Sequence, residues 1–197
     1  GYAVVKMLNG NLYVPDAGGL NGGYSDAVLT TLSKIAKTNK VNTILVESNM
    51  GGGMFAELMK PFLMRYHPCE VKDVRNTKTK ELRIIDTLEP VMNSHRLIID
   101  RKVVEKDYRS NPNEAPERKL KLQLFYQMSR ITRHRGSLVH DDILDALSGA
   151  VAYWTEYMNQ DEDRNIRSRK DELLRVHLDN WGSLMNNSIT QAAFGMS

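Results

Sequence analysis

Cysteine is nearly absent from this chain of 197 residues, and its single thiol, Cys69, limits what the fold can use. One cysteine excludes an internal disulfide framework and a zinc site built on cysteine thiolates. Long apolar runs are also lacking, since no stretch approaches the roughly 20 residues that a membrane-spanning helix needs. The Gly-x-x-x-x-Gly-Lys-Ser/Thr motif that cradles nucleotide phosphates does not occur, so the sequence contains no recognisable ATPase core.

Charge of neither sign dominates, because 27 Lys and Arg oppose 24 Asp and Glu, for a formal net charge of +3. The hydrophobic fraction of 41% supports a real core, and the length suits one domain of ordinary size. Positive charge is nevertheless concentrated in residues 117–135, where Glu117 is the only acid. The basic residues of this block are Arg118, Lys119, Lys121, Arg130, Arg133 and Arg135. Such a block can meet a phosphate backbone, although a solvated face is the ordinary interpretation.

The first half of the chain has the pattern of an α/β fold. Asn9-Gly10 separates two stretches rich in Val, Tyr and Leu, which predicts a β-hairpin because both residues tolerate positive φ. Ser25 is expected to cap a helix with an apolar stripe. The apolar run at residues 43–49 predicts a central strand buried on both faces, with Glu47 near its carboxyl end. Ligand sites of open α/β sheets lie at that end, whereas a surface Glu or a helix cap is the bland alternative.

The alternation continues in the middle of the chain. A helix is predicted at residues 54–66, then a short strand at residues 70–75, then a helix from about residue 78 that Pro90 is expected to bend or break. Three cations open this second helix, where the helix dipole disfavours them, and this favours an anionic partner. These cations are Lys78, Lys80 and Arg83.

The remaining segments are predicted from composition and apolar spacing. An edge strand is expected at residues 96–99, followed by a short helix to Tyr108 and a mobile loop at residues 110–118. A single amphipathic helix should then carry much of the basic block; its apolar side consists of Leu120, Leu124, Phe125, Met128 and Ile131. Two domains are predicted: residues 1–158, and a polar, partly disordered tail at residues 159–197. Because the chain opens on a strand-like Gly1-Tyr2-Ala3-Val4-Val5 without methionine, we expect it to be a fragment of a longer protein.

Three carboxylates fall within five residues at the start of an amphipathic helix: Asp141, Asp142 and Asp145. Residues three and four apart share a helix face, where like charges are destabilising unless a positive group lies between them. A divalent metal ion would satisfy this arrangement because Mg²⁺ and Mn²⁺ prefer oxygen ligands. The alternative is that acidic residues simply favour a helix N-terminus, with Asp141 or Asp142 as a cap and Asp145 solvated. The local sequence leaves both interpretations open.

Several motifs in order along residues 1–157 resemble the nuclease domain of the large terminase subunit of short-tailed, T-odd coliphage-type viruses, in the ribonuclease-H-like superfamily. Each motif is weak alone, but the ordered set is specific. The motifs are Tyr2-Ala3-Val4-Val5, Gly18-Gly19, Gly22-Gly23-Tyr24-Ser25-Asp26, Val46-Glu47-Ser48-Asn49, Gly51-Gly52-Gly53-Met54-Phe55, Asp86-Thr87-Leu88-Glu89-Pro90-Val91-Met92, His95-Arg96-Leu97, Leu124-Phe125-Tyr126-Gln127-Met128 and His140-Asp141-Asp142.

The resemblance implies an α/β fold, a ribonuclease-H-like mixed sheet flanked by helices, and hydrolysis of phosphodiester bonds with two divalent ions, Mg²⁺ or Mn²⁺. It assigns Glu47, Asp142 and Asp141 as catalytic acids, with Asp145 as a supporting metal ligand. Lys80 and Arg83 match a basic helix start that faces DNA, and with Lys78, Arg130, Arg133 and Arg135 they form the expected DNA-binding set. The first catalytic Asp of the family lies on a preceding strand, so the fold is expected to lack its first strand and the isolated chain to be inactive.

The same resemblance implies the surroundings in which the domain works. Its partners are double-stranded DNA, the N-terminal packaging ATPase domain of the same parent protein, the portal and the small terminase subunit, with no membrane. Concatemeric DNA would be cut in the host cell cytoplasm, at the procapsid. Two alternatives stay open: a related resolvase-type nuclease that prefers branched DNA, and a non-catalytic module that grips DNA or docks on the portal.

Overall fold

The computed structural model describes residues 1–47, 53–76, 79–157, 167–175 and 177. Its elements are β1 (Tyr2–Leu8), β2 (Asn11–Gly18), α1 (Asp26–Asn39), β3 (Thr43–Glu47), α2 (Met54–Tyr66), β4 (Glu70–Val74), α3 (Lys80–Asn93), β5 (Leu97–Ile99), α4 (Arg101–Arg109), α5 (Pro116–Lys121), α6 (Leu124–Arg130) and α7 (142–157). The chain divides into two units, Gly1–Trp154 and Thr155–Ser197. In the second unit residues 167–175 are helical, and most of the expected tail at 159–197 lies outside the described residues.

The first sheet is mixed and has the order β1-β2-β5. Strands β1 and β2 pair antiparallel across Asn9 and Gly10, whose φ angles are 52° and 77°. Positive φ at both turn residues is the geometry that an Asn-Gly hairpin adopts, so the predicted hairpin is confirmed. Strand β5 pairs parallel with β2 at the edge of this sheet, from Leu12↔Leu97 to Val14↔Ile99, and the predicted edge strand is confirmed as well.

The second sheet consists of β3 and β4, which pair in parallel from Thr43↔Glu70 to Glu47↔Val74. Glu47 closes β3 at its carboxyl end, as the sequence predicted. The expectation of a central strand buried on both faces is wrong. Residues 43–46 are only half-buried and Glu47 is exposed, because in the described part of the chain β3 has one neighbouring strand, β4. The apolar run instead packs with α1 and α2 through one face, on which Ile44 contacts their buried residues.

The two sheets carry separate apolar clusters. Between α1, α2 and the β3-β4 pair the buried residues are Leu29, Ala36, Met59 and Leu63. The larger cluster joins the β1-β2-β5 sheet to α3, α4, α6 and α7; its buried residues are Leu12, Val14, Ala17, Ile84, Leu88, Val91, Val103, Leu124, Ile143, Leu144, Leu147 and Val151. Helix α1 begins after Ser25, as predicted, but the serine hydroxyl makes no capping hydrogen bond. Helix α3 continues through Pro90 to Asn93, so the predicted break there is wrong.

The single amphipathic helix predicted around residues 120–131 is two short helices, α5 and α6. Helix α5 already begins at Pro116, inside the segment that was predicted to be a mobile loop. The chain breaks before α6 because the buried carboxylate of Asp107, on α4, accepts the backbone N–H groups of Leu124 at 2.8 Å and Phe125 at 3.1 Å. These two N–H groups bind the carboxylate of Asp107 and not the carbonyls of the preceding turn. They are therefore the free N–H groups of a new helix start, and α6 begins there.

Helix α7 is tied to the first sheet through residues up to Trp154. Leu147 and Val151 are completely buried, and the indole Nε1 of Trp154 donates to the carbonyl of Val5 in β1 at 3.0 Å. Leu147, Val151 and Trp154 belong to the apolar stripe that the sequence predicted for this helix. Because α7 packs so firmly on β1, the acidic residues at its start have a defined place relative to the sheet.

A candidate active site of clustered carboxylates

Acidic residues from β3 and α7 meet around two cations from α3. Arg83 Nη2 lies 2.7 Å from Asp145 Oδ1 and 3.5 Å from Glu47 Oε1. One guanidinium nitrogen therefore connects the end of a strand with the first turn of a helix almost 100 residues later in the chain. Asn76, just after β4, also donates to Glu47 Oε1, at 3.0 Å.

Lys80 makes the second connection. Its Nζ lies 2.7 Å from Asp141 Oδ1 and 3.2 Å from Asp145 Oδ2. Asp141 and Asp145 are one helical turn apart, and the ammonium between them relieves the repulsion expected at that spacing. We refer to Glu47, Lys80, Arg83, Asp141 and Asp145 as the carboxylate cluster. Its three negative and two positive groups leave a net charge of −1.

Burial within the carboxylate cluster increases toward Asp145. The side chains of Asp145 and Arg83 are 8% and 13% exposed, whereas that of Lys80 is 38% exposed. Burial raises the pKa of Asp145 above its ordinary value, although the charges of Lys80 and Arg83 oppose this shift. Burial would lower the pKa of Lys80, but its hydrogen bond to Asp141 and the charge of Asp145 outweigh it, and the pKa is raised. The asymmetry follows from the deeper position of Asp145, where desolvation of a charge costs more.

Asp142 lies at the start of α7 but outside the ion pairs that Lys80 and Arg83 form. Its side chain is exposed, and none of the ion pairs of Lys80 and Arg83 in the described part of the chain involves it. Its backbone carbonyl faces Gly1 so closely that a Cβ atom at Gly1 would lie 2.1 Å away. Asp145, predicted as a supporting metal ligand, is the acid that faces Glu47 across Arg83.

The start of α7 is held by groups that sequence reasoning missed. The carbonyl of Asp141 accepts the N–H of Asp145 at 2.8 Å, which makes Asp141 the residue that begins the helix. Its carboxylate contacts Lys80, and the buried N–H of Leu144 donates to Gln127 Oε1 at 3.2 Å. The available signal for Gln127 was its position, since it is a polar residue within the apolar side of α6.

Comparison with known proteins agrees with this architecture. A family model described as the ribonuclease-H-like domain of the bacteriophage T7 terminase matches residues 1–97. Residues 1–97 therefore belong to the ribonuclease-H-like family of T7-type terminases. Over 196 residues the chain is also 37% identical to the terminase large subunit of Enterobacteria phage T3, a match that covers 100% of the chain and 33% of that relative. The chain thus spans about a third of the length of this terminase, and the predicted family and α/β fold are confirmed.

The donor chemistry of the carboxylate cluster fits a divalent cation. Two pairs of carboxylates, Asp141 with Asp145 and Glu47 with Asp145, each lie within 3.5 Å of a single cationic nitrogen. Carboxylate oxygens are the ligands that Mg²⁺ and Mn²⁺ prefer. As placed, however, no group of three or more His, Cys, Asp or Glu among the described residues could hold an ion. The expected four-residue ligand set is therefore not assembled around one point, because Lys80 and Arg83 stand between its members.

Most of the predicted DNA-binding residues contact other side chains of the chain. Lys80 and Arg83 form ion pairs with Asp141, Asp145 and Glu47 of the chain itself. Arg133 contacts Asp86 and Glu89, each at 3.0 Å, which neutralises part of the basic block. The other predicted DNA-binding residues have different surroundings. Arg130 lies over the ring of Tyr126, and Arg135 lies near Glu81. Lys78 is outside the described residues.

Among the described residues, no helix has both the length and the apolar character that crossing a membrane requires.

Proposed function

We propose that this chain is the metal-dependent DNA endonuclease domain of a phage terminase large subunit. The observation that carries the proposal is the meeting of Glu47 and Asp145 at one guanidinium, because it joins acids from two separate elements at the carboxyl end of a strand. Open α/β sheets place their reaction sites at such edges. The match to the ribonuclease-H-like family over residues 1–97 supports the same assignment.

In this proposal Glu47, Asp141 and Asp145 hold the metal, with Asp142 as an exposed acid beside them. Bound Mg²⁺ or Mn²⁺ would supply Lewis acidity and lower the pKa of water, which phosphodiester hydrolysis requires. Lys80 and Arg83 keep the carboxylates together and reduce the negative charge that a DNA backbone meets. When a metal ion binds between the carboxylates, Lys80 and Arg83 must give up contacts with them. The two cations are then available to bind phosphate oxygens of DNA.

Plasmid cleavage in Mg²⁺ or Mn²⁺ tests the proposal, with the chain and with the full-length protein that contains it. Glu47→Gln and Asp145→Asn should abolish cleavage by the full-length protein, whereas Asp142→Asn should reduce it less. Asp86→Asn is the matched control because Asp86 is also an acid paired with a basic residue. Its ion-pair partner is Arg133, which lies outside the carboxylate cluster. Unimpaired cleavage by the Asp145→Asn protein would refute the assignment.

A second candidate is a non-catalytic module that grips DNA. It is favoured by the engagement of the carboxylates with Lys80 and Arg83, which leaves no ready-made group of three ligands in the described part of the chain. Titration calorimetry with Mn²⁺ separates the two functions, since a nuclease site binds the ion and a purely structural cluster does not. A resolvase-type nuclease would instead cleave branched DNA in strong preference to linear DNA.

The partners belong to the same proposal. The phage T3 relative is named as a terminase large subunit, and we propose that the parent protein joins this domain to a packaging ATPase. Concatemeric double-stranded DNA, the portal and the small subunit would then be its partners in the host cell cytoplasm. Co-purification of the full-length protein with a portal complex, and its loss when this domain is deleted, would test the last contact.

A further inference from the structure

We propose that Gln127 is a positioning residue that sets the place of the first turn of α7 and, through it, of Asp141 and Asp145. This inference rests on the proposed metal-dependent function, because it assigns Gln127 a role in ion binding. In the described part of the chain, the side-chain hydrogen bonds of Gln127 go to backbone groups and not to the acids; it acts through the backbone of the helix that carries them.

The side-chain amide of Gln127 spans two backbone groups in the interior. It is 1% exposed, its Oε1 accepts the N–H of Leu144 at 3.2 Å, and its Nε2 donates to the carbonyl of Lys121 at 3.3 Å. The first N–H groups of any helix lack partners within the helix. Leu144 is completely buried, so its N–H cannot turn to water and depends on Gln127.

Because Gln127 accepts the N–H of Leu144, the acids at the start of α7 do not have to cap this N–H group. An Asp at that position ordinarily accepts an N–H of its own first turn. Here the carboxylate of Asp141 contacts Lys80, while Gln127 supplies the acceptor from a neighbouring helix. The helix is therefore capped without using a carboxylate that the cluster needs.

The position of Gln127 is itself fixed by a buried side chain. Asp107 on α4 accepts the N–H groups of Leu124 and Phe125 and so defines where α6 begins. Gln127 lies one turn later on α6, and its hydrogen bond with the N–H of Leu144 fixes the first turn of α7 relative to α6. Asp145 follows Leu144 directly in the chain, so a shift of the Leu144 N–H moves the most buried acid of the cluster. Metal ligands tolerate displacements of only about 0.5 Å, which makes such support consequential.

The test compares two buried glutamines. Gln127→Met removes both amide contacts at similar volume, and Gln127→Glu retains an acceptor for Leu144. Gln123→Met is the matched control, since Gln123 is 8% exposed and its side chain donates to the carbonyl of Tyr108, on α4, rather than accepting from α7. Changes in groups that support metal ligands typically weaken binding about 10- to 100-fold. We expect at least a tenfold loss of Mn²⁺ affinity for Gln127→Met, recovery in Gln127→Glu, and little change in Gln123→Met.

Amide hydrogen exchange provides a readout that does not depend on metal. In Gln127→Met the amides of Leu144 and Asp145 should exchange faster, while in Gln123→Met they should retain wild-type protection even if the protein is equally destabilised. Unchanged exchange at these two amides in Gln127→Met would overturn the inference, whether or not Mn²⁺ binds. Absence of Mn²⁺ binding by the wild-type protein would instead overturn the proposed function, so the two failures are distinguishable.

Discussion

Arg83 is the residue whose removal should most disturb the carboxylate cluster. The variant Arg83→Met keeps the apolar stem on α3 but removes the guanidinium that contacts Asp145 at 2.7 Å and Glu47 at 3.5 Å. Asp145, only 8% exposed, would then keep Lys80 as its remaining cation, at 3.2 Å. Breaking a buried ion pair from one side is costly because it leaves a desolvated charge without its partner.

The expected loss follows from burial. Removing one partner of a fully buried pair costs about 3–5 kcal/mol. Two features of the cluster reduce this figure: Lys80 remains beside Asp145, and the buried Nε of Arg83 has no hydrogen-bond partner among the described residues, which costs roughly 1–3 kcal/mol in the wild-type protein. We therefore expect Arg83→Met to lower the free energy of unfolding by about 2 kcal/mol.

Urea unfolding at pH 7 measures this loss, with Arg133→Met as the control. Arg133 also contacts two acids at 3.0 Å, but its side chain is 57% exposed, and such surface pairs contribute only about 0.2–1 kcal/mol. The double variant Arg83→Met with Asp145→Leu should lose about 1–3 kcal/mol less than the sum of its single changes. Additive losses, or equal losses for Arg83→Met and Arg133→Met, would refute the reasoning.

Three further stability predictions concern buried polar groups outside the cluster. Asp107→Ala should destabilise the protein by about 2 kcal/mol, measured by urea unfolding, because two N–H groups at the start of α6 lose their acceptor. Ser148→Ala should raise the melting temperature, since the completely buried hydroxyl has no partner in the described part of the chain and its burial costs about 1–3 kcal/mol. The N–H of Gly136 donates to Glu81 and lowers the pKa of this carboxyl group below its ordinary value of 4.5. The charged carboxylate therefore stabilises the fold above pH 4.5, and this stabilisation is lost as the pH falls through the lowered pKa. The stability deficit of Glu81→Gln should accordingly be present at pH 7 and shrink toward pH 3.

Local signals in the sequence predicted the elements that local physics controls. Asn9-Gly10 fixes a hairpin because only a few residues accept positive φ at both turn positions. The apolar stripe of α7 and the Glu that closes β3 were likewise visible, since each depends on the spacing of neighbouring residues. The sequence thus indicated the α/β class and two of the elements that contribute to the site.

Features decided by distant partners were not predictable in this way. The helix expected around residues 120–131 is interrupted because the carboxylate of Asp107, on another helix, binds the N–H groups of Leu124 and Phe125. Helix propensity contains no information about such a competitor. In the same way, the apolar run of β3 indicated burial on two faces, whereas its burial depends on how many strands lie beside it.

The different surroundings of Asp142, which is exposed, and Asp145, which is buried, have the same origin. Both residues belong to one turn of α7. Spacing alone places Asp145 on a shared helix face with Asp141, four residues before it, and equally with Asp142, three residues before it. What separates them is α3, because Lys80 and Arg83 approach the helix from the side on which Asp141 and Asp145 lie. The two cations of α3, which the sequence predicts to bind DNA, thus distinguish the buried Asp145 from the exposed Asp142. A motif can indicate that carboxylates cluster, but only the packing of a third element determines which of them can act together.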